Sequence, residues 1–186
     1  MKKNIREFEF ADLQEDLIKK GEKPFRVKQL WEWIWVKNAN SFGEMTNLSK
    51  DLREMLEQNF FFEASEPELE VESKDKTLKT LHNLVDNNKV ETVLIPSYDR
   101  VTACLSSQTG CNLGCKFCAT ASIKNARNLT AGEIFDQFSY AVRTSEKRFG
   151  KKLSNIVFMG MGEPLLNYEN IMRAIEIITD PKGVNF

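Results

Sequence analysis

The sequence predicts an α/β protein: a small helical domain, an antiparallel β-hairpin, and the beginning of a parallel sheet with crossover helices. Apolar residues recur at helical spacing in the first third of the chain and alternate at strand spacing around residues 77–95. From residue 101 onward, strand, loop and helix patterns follow one another twice. We therefore expect three regions, with bounds 1–64, 65–100 and 101–186.

Charge and hydropathy narrow the class of protein. The 186 residues include 26 Lys and Arg against 27 Asp and Glu, a net charge of −1. This excludes a strongly basic coat as the sole means of holding nucleic acid. No apolar run approaches the ~18 residues of a membrane span, and the first residues lead into no signal region. We expect a cytoplasmic protein without membrane contact, in a compartment that keeps thiols reduced.

The helical domain is predicted to contain three helices. Residues 12–20 form an amphipathic segment that ends at a glycine, Pro24 suits the first turn of a second helix, and Ser49 suits the N-cap of a third. Trp33 and Trp35 fall off the apolar stripe of the second helix. We expect them to pack on a second surface, such as a domain interface, with stacking on RNA bases as the alternative.

A change of period marks the strand region. Residues 63–72 are acidic and contain a proline, which favours a connector. Strands are predicted at 77–85 and 89–95, and the turn residues between them indicate a hairpin. A third strand is predicted from residue 101 to about 106. His82 is the one histidine, and we expect it at the surface of the first of these strands.

The turn before the third strand permits a register estimate. If Ser97 and Tyr98 form a two-residue loop, Glu91 directly opposes Cys104 on the next strand. Opposed residues lie on one face with Cβ atoms ~5 Å apart, so a carboxylate would lie beside a thiol. A bulge or a one-residue slip would remove this pairing.

The last region alternates between strand and helix. Thr130 and Glu133 have capping-box spacing at the start of a helix that Gly150 ends. Residues 155–161 are predicted to form a buried parallel strand, and 169–178 a further helix. Two parallel strands do not complete a sheet, so we expect a longer protein or a partner that completes it.

Three cysteines in a short loop after the third strand are the strongest chemical signal. Cys111, Cys115 and Cys118 are spaced to hold three irons of a four-iron cluster, which leaves the fourth iron open to a chelating ligand. Glycines and an asparagine in this stretch argue against a helix with three core cysteines. A zinc site with Cys104 or His82 as the fourth ligand is the alternative.

A glycine-rich loop, residues 159–164, follows the strand at 155–161. Gly160 and Gly162 allow a ligand to approach the backbone, and Glu163 offers a carboxylate to an ammonium group. An ordinary βα turn is the alternative. Because the carboxyl ends of parallel strands share one rim, we expect the glycine loop and the cysteine loop (residues 111–118) side by side.

These motifs together resemble the RlmN/Cfr family of radical S-adenosylmethionine enzymes, and most closely its RlmN members. The similar stretches are residues 23–26, 44–49, 90–96, 104–111, 115–118, 127–129 and 160–167. The resemblance covers nearly the whole chain. It implies the start of a radical-SAM partial TIM-like barrel, truncated here, after a helical accessory domain and a β-hairpin.

The resemblance also implies cofactors. Cys111, Cys115 and Cys118 would ligate a [4Fe-4S] cluster whose open iron chelates S-adenosylmethionine. Gly162 and Glu163 would bind the amino group of that cofactor. An electron donor such as flavodoxin would reduce the cluster, and we expect the protein to be a monomer.

The reaction implied is methylation of carbon-2 of adenine in 23S ribosomal RNA and in transfer RNA. It would use a 5′-deoxyadenosyl radical and a methyl-cysteine intermediate. Glu91 matches the family's proton acceptor, and Cys104 matches the thiol that resolves the RNA–protein adduct through a transient disulfide. The family's methyl-carrying cysteine lies near its C-terminus, but no cysteine follows Cys118. We therefore expect this chain alone to be unable to complete the reaction.

Contacts with RNA are weakly indicated by charge. Lys116, Lys124 and Arg127 lie near the cysteines and are predicted to contact phosphates. The alternative function is a non-catalytic RNA-binding module with a structural four-cysteine zinc site.

Overall fold

The computed structural model describes residues 2–123 and 126–186 of the chain. The chain divides into two compact units, Met1–Glu63 with Ile175–Phe186, and Ala64–Ala174. The first unit is mainly helical, and the second holds the main β-sheet. Over the residues that the structure describes, no helix is both long and apolar enough to cross a membrane.

The first unit contains three α-helices as predicted: α1 (Phe10–Lys19), α2 (Pro24–Trp31) and α3 (Lys50–Asn59). Pro24 lies in the first turn of α2, where no intrahelical N–H is needed. Ser49 caps α3 by accepting a hydrogen bond from the amide of Leu52. Two short strands, β1 (Lys3–Asn4) and β2 (Phe60–Phe61), pair in parallel in the same unit.

The aromatic residues after α2 form a π-helical turn, Glu32–Val36. Trp35 is buried, which confirms the packing prediction for this residue. Trp33 is half-buried, with the Lys37 ammonium 4.1 Å from its ring centroid and its indole N–H donated to Asn47. Both contacts are made within the helical unit, and the Lys37 ammonium lies over one face of the Trp33 ring.

The second unit contains a five-stranded sheet whose strands lie side by side in chain order: β3 (Glu66–Glu72), β4 (Leu78–Asn83), β5 (Lys89–Pro96), β6 (Val101–Cys104) and β7 (Asn155–Val157). The first four strands are antiparallel neighbours, and β6 and β7 are parallel. β6 and β7 are shorter than predicted, because the chain leaves strand geometry early to build the loops at their carboxyl ends.

The acidic segment is a strand, so the predicted connector at 63–72 is wrong over most of its length. β3 pairs with β4 and has a bulge between Pro67 and Leu69. It is an edge strand with every residue exposed. Glutamates, a proline and a bulge all discourage an exposed edge from pairing with another chain. The composition therefore indicated exposure correctly but could not show the pairing.

The register between β5 and β6 differs from the predicted one by two residues. The Ser97 amide donates a hydrogen bond to the Arg100 carbonyl (2.8 Å), so the turn is longer than the predicted two-residue loop. Cys104 consequently opposes Val93, and the prediction that it opposes Glu91 is wrong. Because side chains alternate with a period of two, Glu91 still lies on the same face of the sheet as Cys104.

The opposite face of the sheet is covered by α4 (Ala131–Phe149). The predicted capping box is present: Thr130 Oγ1 accepts from the Glu133 amide, and the Glu133 carboxylate accepts from the Thr130 amide. Gly150, with φ 62°, ends the helix. A further helix, α5, spans Tyr168–Thr179, close to the predicted bounds.

His82 is buried under α4, and the prediction of a surface position is wrong. Its ring meets the Tyr140 ring edge-on, with centroids 4.8 Å apart. Neither ring nitrogen has a hydrogen-bond partner within the described ranges. Burial lowers the pKa of His82 to about 4, so the ring is neutral at pH 7. His82 and Cys104 lie on opposite faces of the sheet, so they do not form a shared zinc site.

Candidate functional site

The candidate site lies where the neighbouring parallel strands β6 and β7 end. Cys104 pairs with Val157 at the last position of both strands. Beyond them, the amides of Ser107 and Gln108 both donate to the carbonyl of Met161, at 2.8 and 3.1 Å. The segment that precedes the cysteine loop is thus bonded directly to the glycine loop, so both loops leave the sheet at the same edge.

Close packing between these segments explains the two glycines. A Cβ at Gly160 would lie 2.7 Å from Ser106 Oγ, and one at Gly162 would lie 2.6 Å from Gln108 Cβ. Gly162 also has φ +96°, which L side chains rarely adopt. The space that a side chain would need at these two positions therefore holds the chain's own preceding segment. The approach of a ligand to their backbone stays a prediction.

A buried polar cluster joins the rim to the centre of the sheet. Ser106 Oγ donates to the carbonyl of Glu91 (2.5 Å) and accepts from the amide of Met161 (2.9 Å). Gln137 of α4 bonds both the amide (2.9 Å) and the carbonyl (3.1 Å) of Ser106, and also accepts from Thr92 Oγ1. Satisfied buried networks of this kind hold a single backbone arrangement. The sequence reasoning missed Gln137, whose signal is an amide on the apolar face of a helix.

Two further amide side chains hold the loops that follow the strands. Gln108 Oε1 accepts from the Glu163 amide (2.8 Å), while its Nε2 donates to Asn128 Oδ1 (2.8 Å). Asn167, which is buried, donates to the carbonyls of Ser107 and Leu129, both at 2.8 Å. These residues belong to stretches quoted for the family resemblance, but their roles could not be read from sequence.

The Glu163 carboxylate is half-buried at the rim. Its Oε1 accepts from the Leu165 amide (3.0 Å) and caps a short 3₁₀ turn, Pro164–Asn167. Its Oε2 has no partner among the residues that the structure covers. One carboxylate oxygen is therefore positioned by the backbone and the other is available to a cationic ligand.

The cysteine loop holds three uncrosslinked, solvent-accessible thiols. Cys115 is exposed, and Cys111 and Cys118 are half-buried. A hydrogen bond with the Thr120 side chain is the main cause that lowers the pKa of Cys118, which favours the thiolate that binds metals. All four cysteines are free thiols, so the transient disulfide implied by the resemblance has no support in the structure.

The donor set fits an iron–sulfur cluster in its chemistry. Within residues 2–123 and 126–186, no three His, Cys, Asp or Glu side chains converge on one metal ion. Each cysteine ligand of a four-iron cluster binds a different iron, so such thiols stand farther apart than the ligands of a single ion. Three accessible thiols in one short loop are the kind of ligand that such a cluster uses.

Glu91 and Cys104 share the sheet face that α4 leaves open. The Glu91 carboxylate forms an ion pair with Lys79 on the neighbouring strand (3.0 Å), and both side chains are partly exposed. Burial is the main cause that raises the pKa of Cys104, so its thiol is protonated near neutral pH. The face thus presents a carboxylate and a thiol, because Cys104 lies opposite Val93, two residues along β5 from Glu91.

The predicted phosphate contacts divide into three cases. Arg127 pairs with the carboxylates of Asp86 (2.6 Å) and Glu133 (2.7 Å), which compete with a phosphate for its guanidinium, and its contact with RNA stays a prediction. Lys116 is exposed in the cysteine loop. Lys124 lies outside the described residues.

Comparison with known proteins places this site in a family. Residues 3–61 match the family described as "Ribosomal RNA large subunit methyltransferase N-terminal domain", and residues 105–185 match the "Radical SAM superfamily". The chain is 49% identical over 183 residues to a probable dual-specificity RNA methyltransferase RlmN of Christiangramia forsetii, covering 98% of this chain and 52% of that protein. The chain belongs to the RlmN family.

Other RlmN relatives and a solved structure agree with this placement. The dual-specificity RNA methyltransferase RlmN of Geotalea uraniireducens is 44% identical over 185 residues, covering 100% of this chain and 52% of that protein. A radical SAM methyltransferase from Sphaerobacter thermophilus has 40% identity and a TM-score of 0.85, covering 98% of this chain and 54% of that chain.

The chain spans about half the length of the curated RlmN relatives that it matches. The predicted fold class, a helical domain and a β-hairpin before the start of a radical-SAM α/β fold, is confirmed by this structural likeness.

Proposed function

We propose that this RlmN-family chain takes part in methylating carbon-2 of adenine in 23S ribosomal RNA and in transfer RNA. The observation that carries the proposal lies at the edge of the sheet where β6 and β7 end. There the segment that precedes the cysteine loop is bonded to the glycine loop, next to the face that holds Cys104 and Glu91. RNA methyltransferase is also the activity that the names of its relatives state.

Cys111, Cys115 and Cys118 would hold three irons of a [4Fe-4S] cluster, and Glu163 and the Gly162 backbone would bind the amino group of S-adenosylmethionine. When bound, the cluster supplies the electron that cleaves the sulfonium bond of that cofactor. Reduced flavodoxin is the proposed electron donor. The accessible thiols and the available Glu163 oxygen support these roles.

Glu91 and Cys104 would act on the RNA base. The carboxylate is accessible on the open sheet face, where it can accept the proton that adenine carbon-2 loses. The Cys104 thiol lies one step along the same face and is kept protonated by burial. The part-buried bond from Ser106 to the Glu91 carbonyl supports the register that places Glu91 and Cys104 on one face.

Anaerobic reconstitution with ferrous iron and sulfide tests the metal assignment. We expect about four irons and four sulfides per chain, which Cys115→Ser should largely remove. Cys104→Ser is the matched control, because Cys104 is outside the proposed ligand set and this variant should retain iron. A chain that stays free of iron, or that instead binds one zinc lost with Cys104→Ser, would contradict the proposal and favour the zinc-containing RNA-binding module.

Addition of S-adenosylmethionine tests the second loop. The electron paramagnetic resonance spectrum of the reduced, reconstituted chain should change, and reduced flavodoxin should drive release of 5′-deoxyadenosine. Glu163→Gln should weaken the spectral response because it removes the charge that pairs with the amino group. An unchanged spectrum in the unsubstituted chain would refute the assignment of the glycine loop.

A further inference from the structure

The segments on either side of the cysteine loop are bonded to each other. The Thr109 amide donates to the Arg127 carbonyl and the Leu129 amide donates to the Ser107 carbonyl, both at 3.0 Å. The Arg127 amide in turn donates to Thr109 Oγ1 (3.0 Å). We call these paired segments, residues 107–109 and 127–129, the neck. All three predicted cluster ligands lie between its two sides.

The Arg127 side chain also bonds the neck to two other elements of the second unit (Ala64–Ala174), which we call the sheet unit. Its Nε contacts Asp86 Oδ2 (2.6 Å) in the turn between β4 and β5. Its two terminal nitrogens contact both carboxylate oxygens of Glu133, at 2.8 and 2.7 Å, in the first turn of α4. The Glu133 side chain is only 2% exposed. A bidentate bond to a buried carboxylate gives one defined geometry, which a surface ion pair does not.

The hairpin turn is itself arranged to present its carboxylate. The Asn88 amide donates to Asp86 Oδ1 (3.0 Å), which leaves Oδ2 directed at Arg127. Hydrogen bonding with Arg127 holds the pKa of Asp86 well below its usual range, so the pair stays charged throughout the physiological pH range. The hairpin turn between β4 and β5 thus contacts the neck through Arg127.

We propose that Asp86, Arg127 and Glu133 form a clamp that positions the cysteine loop by fixing its neck. In this role Arg127 acts through the backbone of the loop rather than by touching the cluster or the RNA. The identity of the group that the loop binds rests on the proposed function. The effect of the clamp on the neck does not depend on it.

Hydrogen exchange of the metal-free chain tests the clamp directly. Arg127→Met leaves the buried Glu133 carboxylate without its cation, so we expect the Thr109 and Leu129 amides to exchange about 100-fold faster. Asp86→Asn removes only the more exposed contact and should accelerate them about threefold. Arg127→Lys keeps the positive charge but cannot form the bidentate bond. Its neck amides should therefore exchange at rates between those of the other two variants.

Arg148→Met is the matched control. Arg148 lies in the last turn of α4 and also pairs with two carboxylates, Glu70 and Glu72 of β3, but outside the neck. In Arg148→Met, the exchange rates of the Thr109 and Leu129 amides should stay within about twofold of those in the unsubstituted chain. The proposal is overturned if Arg127→Met does not accelerate the neck amides more than Arg148→Met does. It is also overturned if amides of β4 and β5 accelerate equally, because the arginine then supports the whole unit.

Two further measurements complete the test. If Arg127→Met does not fold, Asp86→Asn and Arg127→Lys decide, since each must accelerate the neck amides selectively. In reconstituted chains, Arg127→Met should lose iron to a chelator about tenfold faster than the Arg148→Met control, and equal rates would contradict positioning of the ligands. Failure of the unsubstituted chain to bind iron would refute the proposed function, while hydrogen exchange would still decide the clamp.

Discussion

Replacing Gly162 by alanine tests whether close packing fixes the glycine loop. The added Cβ would lie 2.6 Å from Gln108 Cβ and 2.8 Å from the Gln108 backbone nitrogen. Both distances are shorter than van der Waals contact. The Gln108 backbone nitrogen cannot move independently of its neighbours, because it is bonded to the Met161 carbonyl. The backbone at φ +96° also disfavours any L side chain. The loop must therefore shift, or the sheet unit must lose stability.

The magnitude follows from these two effects. A non-glycine residue in a sparsely populated backbone region costs about 1–3 kcal/mol, and overpacking adds about 1–3 kcal/mol. We expect Gly162→Ala to lower the free energy of unfolding by about 2–6 kcal/mol. Gly150→Ala is the matched control, because its φ is +62° but its Cβ would meet no atom within 4 Å. It should cost only about 1–2 kcal/mol.

Urea unfolding followed by far-ultraviolet circular dichroism measures both variants. Tryptophan fluorescence does not suit this test, because all three tryptophans lie in the first unit. Hydrogen exchange at the amides of Ser107 and Gln108, both bonded to the Met161 carbonyl, reports on the rim itself. If Gly162→Ala is no more destabilising than Gly150→Ala, the reasoning from close contact is wrong.

Two further predictions concern buried polar groups in the same unit. The folded-state pKa of His82, about 4, lies below its ordinary value of 6.5, so stability present above pH 6.5 should fall by about 3 kcal/mol as the pH drops toward 4. His82→Phe should flatten this part of a plot of urea midpoint against pH, and an unchanged plot would show that His82 is not responsible. Ser106→Ala removes the hydroxyl partner of the buried Met161 amide and should lower the free energy of unfolding by about 1–3 kcal/mol, measured against exposed Ser122→Ala. A difference below about 0.5 kcal/mol would contradict the central place given to Ser106.

Local elements were predictable because their determinants lie within a few residues of each other. The cap of α3 at Ser49 and the reciprocal bonds of Thr130 and Glu133 each involve side chains and amides three positions apart. The end of α4 at Gly150 follows from its positive φ. The placement of the cysteine and glycine loops at one rim followed in turn from the parallel β6–β7 pair.

Features that depend on pairing between distant segments were not predictable in the same way. The hydrogen bond from Ser97 to Arg100 lengthens one turn and moves the β5–β6 register by two residues. The burial of His82 depends on α4, which is more than forty residues later in the chain. The partners of Arg127 come from a turn and a helix that composition alone cannot bring together.

The amino-acid sequence alone determined the caps at Ser49, Thr130 and Gly150, the α/β class, the cysteine spacing and the resemblance to the RlmN family, because each resides in short stretches of residues. Only the tertiary structure decided which residue faces which across the sheet, why Gly160 and Gly162 are glycines, and what Arg127 binds. The physical reason is that these properties arise from contacts between segments far apart in the chain. Such contacts depend on the packing of the whole unit, whereas a cap or a loop motif depends on its immediate neighbours.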